Sequence, residues 1–349
     1  MSVTGGSIRR LPVDCQGEDL RGPPATFLRP AWWTFPDLTP SPRAFGAPAN
    51  IAGRPKTTSP PLLDCDGAGG SREFARTDRP ARCSIPSTAP RTTALITGAS
   101  AGIGLELARV FALHRHDLIL TARREERLRQ VAGELESRGI TAHVIAADLA
   151  AVEGPRRLFE EVGNRGLQVE YLVNNAGFGT FGPFVETDLE RSLELVRLNV
   201  GAVTALTGLL LPAMVERRSG RVLNVASAAA FQPGPLMATY YASKAYVLHF
   251  SEALAEELEG SGVTVTALCP GPVRTEFQDV ADMGTSGLVL NRRLMDAEAV
   301  AEIGYDAMMR GKACVVPGVG SKLLAFAVRI APRRLVAKFV RRLQARRNE

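Results

Sequence analysis

Long apolar runs are missing from this 349-residue chain, and none reaches the roughly 18 to 20 residues that span a bilayer. The nearest approach, residues 201–215, is interrupted by Thr204, Thr207, Gly208 and Pro212 and reads as a buried helix. The N-terminus lacks the apolar h-region of a secretory signal, and Asp14, Glu18 and Asp19 come early, so no export signal is expected. Cysteine is sparse. The five residues Cys15, Cys65, Cys83, Cys269 and Cys314 are odd in number and include no C-x-x-C. That spacing argues against a disulfide framework or a zinc site, and for reduced thiols in a cytoplasmic setting; no metal is expected.

Excess charge is also small, +6 overall, but it is unevenly placed. From Lys322 onward the bases Arg329, Arg333, Arg334, Lys338, Arg341, Arg342 and Arg346 accumulate with no acid before Glu349. They are interleaved with Leu323, Leu324, Phe326, Val328, Ile330, Leu335, Val336, Phe339 and Val340. The pattern predicts a basic amphipathic helix, or a helix pair broken at Pro332, either packed on the core or lying against a membrane surface. Its aromatics have the spacing of a buried helix face and form no stacking platform, so nucleic acid is not an expected partner.

Composition divides the chain into three parts. Residues 1–90 are rich in Pro, Gly, Ser, Thr and Arg without a sustained period of 2 or 3.6, and read as a disordered low-complexity segment. From residue 91 to 316 short β-rich runs alternate with helical patterns; the expected strands are 93–97, 117–121, 142–147, 170–175, 221–227, 263–269 and 313–316. Because parallel neighbours need crossover connections, this alternation predicts an α/β domain, a doubly wound parallel sheet of about seven strands with helices on both faces. Residues 317–349 form the basic tail.

Directly after the first expected strand comes "TGASAGIG", residues 97–104, which opens the helical stretch "LELARVFAL". Gly98, Gly102 and Gly104, set among Thr97, Ser100 and Ile103, allow a tight turn and close approach to a pyrophosphate, to which the helix N-terminus offers free N–H groups. Strand before and helix after are the context such a glycine trio requires. At the end of the second strand, where a fold that prefers NAD carries an acid, the chain has Ala122 followed by Arg123 and Arg124. Cations there favour NADP. Arg123 is the better candidate, since Arg124 is equally explained as the start of an exposed charged helix.

With these features the chain resembles the short-chain dehydrogenases/reductases in their compact single-domain branch, over residues 92–316. The pattern TGxxxGxG falls on Thr97, Gly98, Gly102 and Gly104, NNAG on Asn174, Asn175, Ala176 and Gly177, and "CPGPVRTEF" supplies Pro270, Gly271, Val273 and Thr275. The resemblance implies that Asp148 and Leu149 contact the adenine. NAD stays open as the cofactor, because Ala101 stands where many NADP members carry a base. It also implies a homodimer or homotetramer, paired through helices over 186–212 and 238–259. Leu206, Leu209, Leu210, Val247, Leu248 and Phe250 are the apolar positions expected at that interface.

The family's Tyr-x-x-x-Lys pattern falls on Tyr240 and Lys244 in "ATYYASKAYVLHF". On a helix these two share a face, whereas Tyr241 is turned about 100° away. A phenol titrates near 10 and a cation within about 4–6 Å favours its ionised form, so Tyr240 is the expected general acid/base with Lys244 lowering its pKa. By the resemblance Lys244 also holds the nicotinamide ribose. Negative charge developing on a carbonyl oxygen calls for a second donor, and Ser227 lies 13 residues before Tyr240, the spacing usual in this family. Asn199 matches the family's fourth catalytic position, which holds a proton-relaying water.

The implied activity is hydride transfer between a nicotinamide cofactor and a carbonyl/alcohol pair, run as a reductase. A non-catalytic nucleotide-binding scaffold and a membrane-surface adaptor are the alternatives. The substrate loops are expected to contribute Phe231, Pro233, Leu236, Met237, Phe277, Val280, Met283, Leu288, Val289 and Leu290, which implies an apolar ketone, aldehyde or secondary alcohol. Steroid, retinoid, acyl and xenobiotic carbonyls all stay open.

Overall fold

The computed structural model describes residues 91–277, 281 and 294–345, which all belong to one unit, Cys83–Glu349. The low-complexity reading of residues 1–90 falls outside the described residues, with Cys15, Cys65 and Cys83; so do Val280, Met283, Leu288, Val289, Leu290 and Arg346.

The strands β1 (Thr93–Thr97), β2 (Asp117–Thr121), β3 (Ala142–Val144), β4 (Tyr171–Asn174), β5 (Gly220–Val225), β6 (Val263–Leu268) and β7 (Cys314–Val315) form one parallel sheet in the order 3-2-1-4-5-6-7. Their apolar runs are nearly continuous because both faces are covered. On one face α1 (Gly102–Leu113), α2 (Glu125–Glu136) and α7 (Ala297–Met309) bury Leu107, Phe111, Leu128, Leu135 and Met308. On the other, α3 (Gly154–Asn164), α5 (Val203–Glu216) and α6 (Ala238–Glu257) bring Leu158, Val162, Leu206, Met214, Val247 and Leu248 inward. This is the doubly wound sheet that the alternation predicts. Two strands, β3 and β7, are half the length of their expected runs; beyond Val144 the chain still follows β2, Ile145 and Ala147 donating to Leu120 and Ala122, but without a regular ladder. The strand order reverses between β1 and β4, which opens a crevice at the C-terminal edge of the sheet.

The helix α4 (Leu189–Val196) continues through a π-helical turn, Arg197–Ala202, into α5. Together Leu189–Glu216 is a 28-residue helix containing an 18-residue stretch of mean hydropathy 1.8, long and apolar enough by length and composition to cross a membrane, so the interruptions within 201–215 do not break it. One side of it packs inward through Leu195, Leu206, Leu210 and Met214. That packing corrects the expected subunit interface. Leu206, Leu210, Val247 and Leu248 are at most 8% exposed within a single chain, because helical periodicity identifies an apolar side but not what covers it. The large apolar side chains these helices leave outside include Leu189, Leu193, Val196, Val215 and Tyr246, the last stacked on Phe250.

The basic tail forms two helices, α8 (Val319–Ile330) and α9 (Arg333–Gln344), separated at Pro332. Val336 and Val340 of α9 pack with Ala229, Met237 and Tyr241, and Val328 of α8 joins them, so the pair lies over the loops that follow β5.

Candidate active site

At the mouth of the crevice the loop between β1 and α1 is held against the end of β4. The Thr97 hydroxyl donates to the Val173 carbonyl at 3.1 Å and accepts from the Asn175 and Ala176 amides at 2.9 and 3.0 Å. Asn175 returns the bond, its Nδ2 donating to the Thr97 carbonyl at 2.9 Å. The loop therefore leaves no room for side chains: a Cβ on Gly104 would sit 2.3 Å from the Gly98 carbonyl oxygen, and one on Gly98 would sit 2.8 Å from Asn175 Nδ2. Gly98 and Gly102 have φ of +67° and +56°, which glycine alone adopts at little cost. Thr275 closes the loop from the other side, its methyl group 3.1 Å from where a Gly102 Cβ would lie.

Asn174 is buried and links strands to helices: its Nδ2 donates to Asn224 Oδ1 at 2.9 Å and to Thr207 Oγ1 at 3.1 Å, and Asn224 Nδ2 donates to Ser251 Oγ. Asn199 lies in the π-helical turn. Its Oδ1 accepts from the Phe178 amide at 3.1 Å, while its Nδ2 donates to the Phe178 carbonyl and to Ser243 Oγ. Gly177 lies between this amide and the lysine: a Cβ there would meet Asn199 Oδ1 at 2.9 Å and Lys244 Nζ at 3.5 Å.

Tyr240, Lys244 and Ser227 all line one cavity of about 490 Å³, together with Gly98, Ser100, Gly102, Ile103, Asp148, Leu149, Asn175, Ala176, Gly177, Pro270, Gly271, Val273 and Thr275. Ser227 caps the short turn Ala228–Phe231, its Oγ accepting from the Ala229 amide at 3.1 Å. Burial pushes the Tyr240 phenol up to about 12, against a downward pull from its hydrogen bond with Ser227. Burial also brings Lys244 down to about 8. The expectation that Lys244 lowers the tyrosine is therefore not met in this structure. The ammonium donates to the Val225 carbonyl at 2.8 Å and lies 5.9 Å from the centroid of the Tyr240 ring, and desolvation disfavours the charged form of both groups. Cys269, at the end of β6, interacts with Lys244 in the opposite sense and is hydrogen-bonded to the Cys314 thiol.

Arg123 and Arg124 both reach the cavity rim. Arg123 pairs with Glu194 at 3.4 Å, whereas Arg124 donates to Ser100 Oγ at 3.2 Å and to Glu276 at 2.9 Å. The arginine in contact with the glycine loop is thus Arg124, the residue that begins α2. Asp148 folds its carboxylate onto the Ala150 amide at 3.0 Å and presents Leu149 beside it.

The apolar end of the cavity differs from expectation. Met237 and Phe277 line it, but Phe231, Pro233 and Leu236 do not: the turn Ala228–Phe231 directs Phe231 toward Val247 and Leu248. In their place stand Ala229, Gln232, Tyr241 and, from the tail, Ser321, Leu324, Val340 and Leu343. Gln232 carries a buried Oε1 with no partner among the described residues, a polar atom in an apolar wall. Tyr241 is buried as well, and Gln344 Nε2 of α9 donates to its hydroxyl. The signal for the tail's part was the apolar half of its amphipathic pattern; nothing in the spacing said which surface it covers.

The family pattern described as short chain dehydrogenase matches residues 92–284, more than half of the chain. A short chain dehydrogenase of Pseudocercospora fijiensis is 37% identical over 204 residues, which are 56% of this chain and 66% of that protein. A very-long-chain 3-oxoacyl-CoA reductase of Anas platyrhynchos is 36% identical over 195 residues, 54% of this chain and 62% of the relative. The chain thus spans slightly less than two thirds of the length of these relatives. Among solved structures, a short-chain dehydrogenase from Sphingobium yanoikuyae in complex with NADPH has a TM-score of 0.63 at 31% identity, over 73% of this chain and 99% of that one.

Proposed function

The chain belongs to the short-chain dehydrogenase/reductase family, and from that premise we propose that it is an NADP-dependent oxidoreductase, acting as a reductase on the carbonyl group of an apolar substrate. The observation that carries this reading is the convergence of Ser227, Tyr240 and Lys244 on one cavity that also contains the glycine loop, with Asn199 braced directly behind Gly177.

The residues present fit a dinucleotide. The cradle at Gly98, Gly102 and Gly104 is one that any Cβ would fill, and the N-terminus of α1 lies beside it. Ala122 with Arg123 and Arg124 offers cations where an acid would select NAD, which favours NADP. Asp148 and Leu149 would contact the adenine, and Asn175, Ala176, Gly177, Pro270, Gly271, Val273 and Thr275, which line the same cavity, the rest of the cofactor. When bound, the nicotinamide supplies the hydride. Tyr240 donates the proton to the oxygen that gains charge, and the Ser227 hydroxyl gives that oxygen its second hydrogen bond. Lys244 backs the phenol with its cation, and Asn199 holds the Phe178 segment and Ser243 in place around it.

Met237, Tyr241, Phe277, Leu324, Val340 and Leu343 favour an apolar ketone, with Gln232 available to a second polar group on it. The setting is cytoplasmic, as a homodimer or homotetramer joined through Leu189, Leu193, Val196 and Tyr246, with α8 and α9 as the elements that meet a membrane. The test is NADPH oxidation across a panel of ketones. Tyr240→Phe is expected to lower turnover on any accepted ketone by about 10²–10⁴, the usual worth of general acid catalysis, with NADPH affinity from fluorescence titration unchanged. A wild-type protein that binds NADPH and reduces no ketone would favour the scaffold reading instead.

A further inference from the structure

The helix α8 presents two opposite apolar faces. Ser321, Leu324 and Val328 turn toward the cavity and the cluster beneath it. Val319, Leu323, Phe326 and Ile330, spaced four, three and four residues apart, form a row along the opposite side and are 62–73% exposed. On α9, Leu335 and Phe339 extend this outer surface, while Val336, Val340 and Gln344 face inward. Around the outer row stand Lys322, Arg329, Arg333, Arg334, Lys338, Arg341 and Arg342, and the sequence holds no carboxylate side chain between Asp306 and Glu349. Among the described residues none of these seven bases forms an ion pair.

An exposed apolar row belongs in a medium that accepts hydrocarbon, and a rim of unpaired bases belongs against negative charge. One partner offers both together: an anionic lipid surface, where a helix lies in the interface with its apolar side among the acyl chains and its cations among the headgroups. A row left in water is otherwise a liability in a soluble chain.

We propose that α8 and α9 form a membrane-seated wall of the active site, the outer row lying in the surface of an anionic bilayer and the inner face bounding the cavity, so that the site draws its carbonyl substrate from the lipid phase as a long-chain compound. The docking stands on the helices alone; the choice of substrate rests on the reductase reading given above. Gln344, which reaches from α9 to the Tyr241 hydroxyl, ties the docked element to the site.

Flotation of the full chain with vesicles tests the docking. At about 0.15 M salt, where screening is short-ranged, recovery with phosphatidylcholine vesicles containing a third phosphatidylserine is expected to exceed recovery with pure phosphatidylcholine at least tenfold. The double substitution Leu323→Glu with Phe326→Glu, at positions outside the cavity lining, is expected to abolish flotation. It should leave reduction of a short, soluble ketone unchanged, and lower reduction of a long-chain methyl ketone carried in the anionic vesicles about tenfold. Flotation that is absent, indifferent to phosphatidylserine, or retained by the double variant overturns the docking. The row would then be an interface with a second copy if light scattering shows the variant to be half the wild-type mass. Equal loss of the short and long ketones overturns the delivery of substrate from lipid. Failure of both proteins to reduce any ketone, with flotation intact, counts against the reductase reading and not against the membrane surface.

Discussion

On the β1–β2 side of the crevice the walls are main chain, with Gly98, Gly102 and Gly104 leaving no space for a Cβ. On the β5–β6 side they are side chains, Met237, Tyr241, Phe277, Leu324, Val340 and Leu343, drawn from four separate segments of the chain. A wall of backbone can be lined by only one residue type, so it is rigid in sequence and in shape. A wall of side chains tolerates exchange, because neighbours of similar volume repack at modest cost. The first suits a cofactor whose shape does not vary, and the second a substrate pocket that must be adjustable.

The comparison breaks most severely at Gly104. Gly104→Ala sets a methyl group 2.3 Å from the Gly98 carbonyl and Asn175 Nδ2. It is expected to weaken NADPH binding about 10²-fold, the ~3 kcal/mol upper end of overpacking costs. Gly133→Ala, on α2 with nothing within 4 Å of its Cβ, is the matched control; titration should find its affinity unaltered. If both bind equally well, the backbone wall is not what holds the cofactor.

A smaller effect comes from the lysine shared by the two walls. Burial brings Lys244 down to about 8, so its cation is nearly complete a unit below that pH and largely lost a unit above it. The value of kcat/KM is therefore expected to fall by about tenfold between pH 7 and 9, as for any group needed in its protonated form. Lys244→Arg should remove that limb wherever activity survives, since a guanidinium does not titrate in this range. A flat profile to pH 10 would separate the lysine's charge from the reaction.

At the rim the expected change is about fivefold. Arg124→Ala should reduce the preference for NADPH over NADH by that factor, the ~1 kcal/mol available to an exposed charge pair. Arg123→Ala should have the lesser effect, because Arg124 donates to Ser100 of the glycine loop whereas Arg123 is turned to Glu194. Affinities of the two cofactors for each variant decide which arginine reads the phosphate.

Smallest of all is the expected change in turnover for Tyr241→Phe. Its hydroxyl faces Gln344 rather than the Tyr240 phenol, so kcat should stay within threefold. The melting temperature should fall all the same, because a buried amide donor loses its acceptor at a cost of about 1–2 kcal/mol. Were turnover to collapse instead, the side-chain wall would be part of the chemistry and the contrast between the two halves would fail.

The same contrast explains what the sequence disclosed. The glycine loop, the run of parallel strands and the Tyr-x-x-x-Lys pair were legible because each is a local pattern with one structural solution: a turn without Cβ, an apolar run covered on both faces, two side chains one helical turn apart. The far wall was not. Phe231, Pro233 and Leu236 are adjacent to the right residues in sequence, yet none of them lines the cavity, and the short turn at Ala228–Phe231 directs Phe231 into the core instead. Val340 and Leu343 lie about a hundred residues beyond Tyr240, and an amphipathic pattern states that a helix has a covered side without naming the cover. Asn199 was legible as a residue, but its bonds to Phe178 and Ser243 depend on a π-helical turn that its neighbours do not signal.

The strand order also sets how this molecule comes into being. Residues of β1 that pair with β2 lie 24 positions from their partners, but those that pair with β4 lie 77 positions away. Closing the longer loop costs about 1 kcal/mol more in chain entropy, on a sheet with no hairpin to nucleate it, and topologies of this kind fold slowly. That long-range closure is the event that creates the reversal between β1 and β4, and with it the crevice. The chain acquires its site in the same step that is entropically hardest for it, so a variant slow to join β1 to β4 is slow to gain activity, however sound the rest of its sheet.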